Sequence, residues 1–166
     1  MKVRTYVLIV TVTLLTVSAA TKDVRSVEGL SPGDLAPRIE SLGNAKGLDF
    51  QNHSGRYTLL NFWAAYDAES RARNVKFSNA VNKLSSEKIA LCSISLDQKK
   101  SIFSETVRID NLNEVTQFHV EQMEKSALLK KYDLKRGFRN YLIDDKGVIV
   151  AKDFAPQELT EILKTI

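Results

Sequence analysis

Thr58-Leu59-Leu60-Asn61-Phe62-Trp63 runs within three residues into Tyr66-Asp67-Ala68-Glu69-Ser70-Arg71. The first stretch is a short apolar run, fit for a strand buried on both faces. The second is polar, and beyond it Phe77, Ala80, Val81 and Leu84 fall at helical spacing. Aspartate is a preferred helix cap, because its carboxylate accepts from amides that the first turn leaves unpaired. A buried strand feeding a capped helix is one strand–helix step of an α/β domain.

The alternation continues downstream. Ile89 to Ser95 reads as a second buried strand ending at Asp97, and Gln98 to Val107 as another helix. Asn113 to Val120 reads as a loop holding a short extended piece, and Ser126 to Tyr132 as a short helix. Asn140 to Ile143 and Val148 to Ala151 flank Asp144-Asp145-Lys146-Gly147, a hairpin signature. Pro156 then opens a last helix with Leu159, Ile162 and Leu163 on one face. Upstream, Leu48 to Phe50 and Gly55 to Tyr57 read as the two arms of a small hairpin. The expected architecture is a three-layer α/β sandwich, a mixed central sheet flanked by helices.

Residues 1–20 place Lys2 and Arg4 before an apolar run that ends in Ser18-Ala19-Ala20. This is the layout of a secretory signal peptide, cleaved after Ala19 or Ala20, with a retained signal-anchor helix as the alternative. Tyr6 to Val17 is shorter than the roughly 20 residues a spanning helix needs, so no stable membrane span is expected after cleavage. Residues 21–36 are polar, carry the turn signal Ser31-Pro32-Gly33-Asp34, and read as a tether. The domain is expected over 37–166.

The whole chain has 166 residues and a net charge of +4, enough for one domain of ordinary size. Setting aside Lys2 and Arg4 leaves 22 basic residues against 20 acidic, a charge of +2 with no nucleic-acid footprint. A single cysteine excludes any intrachain disulfide or dithiol pair.

The order of these segments resembles the thioredoxin-like fold, specifically the exported thiol-disulfide oxidoreductases of the TlpA/ResA type. Gly33-Asp34-Leu35-Ala36-Pro37 is similar to that family's opening motif. Leu59-Leu60-Asn61-Phe62-Trp63-Ala64 is similar to its first core strand, and Tyr141-Leu142-Ile143-Asp144 with Gly147 to its closing hairpin. The resemblance spans roughly residues 32–166. It implies a periplasmic or secreted location and a part in envelope redox homeostasis.

The chemistry departs from that family. The resemblance puts two cysteines, separated by two residues, at the start of the helix, where the helix N-terminus lowers the thiol pKa. Those positions are Asp67 and Ser70 here. A proline further along the helix is replaced by Val75, and the cis-proline before the closing strand by Phe138. The dithiol and both prolines are missing, which leaves no catalytic residue of the family type and also removes a peroxidase reading. The resemblance therefore implies a degenerate member: a non-catalytic binding or scaffold module of the cell envelope, with a protein or peptide partner and no cofactor.

Asp67 reads as a cap rather than a general base, since no titratable partner is near it in sequence. Ser70 has no neighbouring histidine, so a hydrolase using Asp67 or Ser70 is a weaker alternative. Cys92, inside an apolar run, reads as a small buried hydrophobe; the competing function is a thiol-disulfide oxidoreductase acting through it. His53 and His119 have no metal-ligand spacing, so no metal is expected. Tyr66, Asp67, Arg71, Arg136, Phe138 and Arg139 form the candidate binding surface, because the resemblance makes the helix start and the loop before the closing strand face each other. Aromatics with arginine are favoured at protein-binding surfaces.

Overall fold

The computed structural model describes residues 27–42, 45–48, 50 and 55–166. The expected signal segment and His53 lie outside the described residues. Seven strands are described: β1 (Ile39–Leu42), β2 (Ala45–Leu48), β3 (Tyr57–Trp63), β4 (Ile89–Ser95), β5 (Gln117–His119), β6 (Asn140–Ile143) and β7 (Ile149–Lys152). Four α-helices accompany them: α1 (Ala68–Val81), α2 (Lys100–Ile109), α3 (Gln122–Lys131) and α4 (Leu159–Thr165).

The central sheet has the order β5-β4-β3-β6-β7. β3 and β4 are parallel from Tyr57↔Ile89 to Trp63↔Ser95, whereas β6 pairs antiparallel with both β3 and β7. The sheet is therefore mixed, with apolar packing on both faces, as in a three-layer α/β sandwich.

Side chains alternate along β3, so successive residues serve opposite faces. Leu60 and Phe62 join Cys92, Ile94, Leu128, Tyr132 and Tyr141 in one cluster under α3. Leu59 joins Phe77, Leu91, Leu142, Phe154 and Leu159 under α1 and α4. Trp63 packs with Val107 and Leu112, and with the partly buried Val75 and Phe103. The Tyr132 hydroxyl donates to the Pro37 carbonyl, which pins the start of the domain to the core.

Between the last two clusters, on the α1 face, the packing turns polar. Asn61, Asn74, Ser93 and Gln117 are all buried. Asn61 Nδ2 donates to Asn74 Oδ1 at 3.1 Å, Ser93 Oγ donates to the same oxygen at 2.7 Å, and Asn74 Nδ2 donates to Gln117 Oε1 at 2.9 Å. A linked buried network of this kind fixes the register of α1 on the sheet, because any slip would strand several polar groups at once.

Several element limits differ from the sequence reading. Leu48 pairs with Ile39 in a β1–β2 hairpin rather than with residues 55–57, and Tyr57 begins the central strand. That pairing puts Ile39 into the main core and Leu48 against it. A Cβ on Gly47 would meet the carbonyl oxygens of Ile39 and Glu40 at 2.2 Å, so this close approach requires glycine. α3 begins at Gln122, four residues early, because Glu121 and Glu124 form a capping box in which the Glu121 amide donates to Glu124 Oε2 at 2.8 Å. The described part of the segment expected as a tether lies against the closing hairpin. The Gly33 amide donates to the Ile149 carbonyl at 2.8 Å, the Ala36 amide to the Gly147 carbonyl at 2.9 Å, and Leu35 bridges Val148.

The β6–β7 turn follows its sequence signature. Asp144 Oδ1 accepts from the Lys146 and Val148 amides at 2.9 and 2.8 Å, and Gly147 takes a φ of 85°.

Candidate functional site

The β3–α1 junction is built by its own side chains. Asp67 has extended backbone angles (φ −105°, ψ 102°), and its carboxylate accepts from the Ser70 amide. The distance to Oδ1 is 2.7 Å, so Asp67 is the helix cap. Ser70 is buried. Its hydroxyl accepts from the Ala64 amide at 3.3 Å and donates to the Asp67 carbonyl at 3.2 Å, stitching the strand end to the helix start. Both side chains are thus engaged in local structure, and among the described residues no imidazole bonds either of them.

Beside this junction, Asp97 is a buried carboxylate. It accepts from the Ala65 amide at 3.0 and 3.1 Å through its two oxygens, and from Ser95 Oγ at 2.7 Å. His119 Nε2 lies 3.1 Å from the Asp97 carbonyl oxygen, and its ring sits 5.5 Å from that of Phe103. No cluster of three or more metal-ligating side chains occurs among the described residues. The sequence reading passed over Asp97 as a strand terminator; its position just after a buried strand was the signal available.

Tyr66 is 70% exposed, and its ring centroid lies 6.1 Å from that of Phe138, tilted by 57°. Partial burial, then the charges of Asp97 and Asp67, raises the Tyr66 pKa above its ordinary value of 10.0, so the phenol remains a donor. The helix start and the loop before β6 therefore meet through these two aromatics.

The arginines divide. Arg71 turns to Asp110 at the end of α2, with bonds of 2.7 and 2.6 Å from Nε and Nη2, a bidentate pair that leaves it apart from Phe138. Arg136 and Arg139 line a groove of about 490 Å³ together with Phe138. Arg139 bonds Asp153, whereas Arg136 is 80% exposed and 3.8 Å from Asp133.

Two groove residues escaped the sequence reading. Arg73 Nη2 donates to the Phe138 carbonyl at 2.8 Å, and Lys76 lines the groove about one helical turn further on. The signal for Arg73 was its place four residues after Glu69, an i,i+4 pair observed at 3.9 Å. The opposite wall is set by Asn140, whose side chain donates to the Phe154 carbonyl at 3.1 Å and accepts from the Phe154 amide at 3.2 Å.

Cys92 is buried among Leu60, Phe62 and Tyr132, and burial pushes its thiol far above the ordinary value of 9.0. It is a poor nucleophile there, since the thiolate is the reactive form.

No family model matches the chain, and no curated protein matches it. Solved structures do. A thioredoxin-like protein from Parabacteroides distasonis is 62% identical, with a TM-score of 0.74, and the alignment covers 82% of this chain and 96% of that one. A thiol:disulfide interchange protein from Bacteroides sp. is 20% identical at a TM-score of 0.70, covering 82% of this chain and 90% of the other. A thiol-disulfide oxidoreductase from Bacteroides fragilis is 25% identical at a TM-score of 0.58, covering 80% and 98%. The fold is that of the thiol-disulfide oxidoreductases, yet the one cysteine of this sequence, Cys92, stands in β4 and not at the start of α1. The chain belongs to the thioredoxin-like proteins, as a member without the active-site cysteine pair.

Proposed function

We propose that this protein is a non-catalytic thioredoxin-like binding module of the cell envelope, which takes up a peptide or protein segment across Tyr66 and Phe138. One observation carries the reading. Asp67 and Ser70, at the dithiol positions, are engaged in capping and in joining strand to helix, while beside them the exposed ring of Tyr66 leans on the half-buried Phe138. An exposed aromatic braced by a second ring over a rigid junction is suited to recognition, because it buries area at small entropic cost. The Lys2–Ala20 layout supports export as a periplasmic or secreted protein, with a leader over 1–20 and the domain from 37 onward. No helix among the described residues is long and apolar enough to cross a membrane. The burial of Cys92 gives no support to redox action through it.

The test is capture from an extract of the native envelope by the purified protein and by a Tyr66→Ala/Phe138→Ala variant. A defined partner retained by the wild type and lost by an equally stable variant is the expected result. Equal retention by both, or disulfide turnover by the purified protein, overturns the proposal.

A further inference from the structure

The groove beside Phe138 has one wall from α1 and the other from residues 153–157, with the loop before β6 at its end. Arg73, Lys76, Arg136 and Arg139 line it against two carboxylates, Glu69 and Asp153. The compensation between them is incomplete. Asp153 is bound by Arg139. Glu69 is 90% exposed and only 3.9 Å from Arg73, a loose contact in high dielectric. Lys76 is exposed and has no ion pair among the described residues. Arg73 and Arg139 are largely covered, with side chains 18% and 23% exposed, and each has a buried Nε without an acceptor among the described residues. Cations held against apolar walls such as Phe154 are screened less than those in open water, so the groove concentrates positive potential.

We propose that this groove recognises an acidic peptide segment, its carboxylates pairing with the groove cations while Phe138 and Tyr66 cover its apolar part. The inference rests on the binding-module reading and names the class of partner. Charge complementarity selects an anion, and guanidinium groups match carboxylates in shape as well as charge. Size selects a chain segment over a lone ion, because about 490 Å³ falls within the volume range of organic-ligand clefts. Continuity points the same way, since the groove ends at Phe138 and Phe138 contacts the exposed ring of Tyr66.

The test is a fluorescence-anisotropy titration with a labelled peptide of alternating glutamate and leucine, and with its glutamine counterpart. The glutamate peptide is expected to bind about ten-fold or more tightly, and to weaken with added salt. Lys76→Glu/Arg136→Glu should abolish that preference, and both positions are exposed, so the fold should survive. A milder Lys76→Gln/Arg136→Gln variant, with a thermal melt of each protein, separates lost recognition from lost structure. Equal affinity for the two peptides, still dependent on Tyr66 and Phe138, overturns the acidic selectivity and leaves the binding module standing. Binding of neither peptide overturns both readings. Displacement of the peptide by inorganic phosphate or free glutamate at comparable concentration makes this a small-anion site and overturns the peptide proposal.

Discussion

Arg73 holds the carbonyl oxygen of Phe138 through a 2.8 Å hydrogen bond from Nη2, tying α1 to the loop that precedes β6. A side chain from the helix thus occupies an acceptor of that loop. Arg73→Ala should destabilise the protein by about 1.5–3 kcal/mol, the usual range for a charged hydrogen bond. It should also speed amide exchange at residues 137–139. Unchanged stability and exchange would mean that the loop is held by its other contacts.

Asp67 separates a lone-pair effect from a charge effect. Because its carboxylate accepts from the Ser70 amide at 2.7 Å, Asp67→Asn should leave stability nearly unchanged. Asp67→Ala should cost roughly 0.5–2 kcal/mol in denaturant melts. If Asn proves as damaging as Ala, charge at the positive end of the helix dominates and the capping account fails.

Redox inactivity follows from the same junction. The purified protein should not reduce insulin disulfides above a no-protein blank, since neither Asp67 nor Ser70 can carry a mixed disulfide. Turnover that persists in Cys92→Ala contradicts this, and turnover lost with Cys92 supports the thiol alternative.

Cys92 also predicts an alkaline limit to stability. Its folded-state thiol pKa is raised by burial, so the folded protein keeps a proton that the unfolded chain releases near 9.0. The folded state then binds more protons, and its stability should fall as pH rises above that value, by up to about 1.4 kcal/mol per pH unit for this group. Tyr132 and Tyr141, raised by burial above 10.0, should steepen the loss at higher pH. Urea melts across this range, with Cys92→Ala lacking the first phase, check the assignment. Thiol reagents should label Cys92 slowly in native protein and quickly in denaturant.

The buried amide network gives the largest expected loss. Asn74→Ala would remove partners from Asn61, Ser93 and Gln117 together. Each buried polar group left unpaired costs about 1–3 kcal/mol, so this variant should be far less stable than an exposed neighbour such as Asn79→Ala.

Local pattern was enough for β4, whose limits Ile89–Ser95 coincide with the apolar run that announced it. It was enough for the β6–β7 hairpin and the Asp67 cap as well, since each depends on residues within a few positions of one another. Element starts set by unusual partners were not legible, as with the Glu121–Glu124 box that begins α3 early.

The same division runs through the candidate site. The missing cysteines, and with them the absent dithiol chemistry, were determined by the sequence alone, because residue identity at two positions decides whether a thiolate can exist there. Tertiary structure decided which arginines share a surface. Arg71 and Arg73 are neighbours on one helix, yet Arg71 turns to Asp110 while Arg73 turns to Phe138. A helix sends residues two positions apart to different faces. What waits on each face comes from segments 39 and 65 residues away along the chain, brought there only by the folding of the sheet.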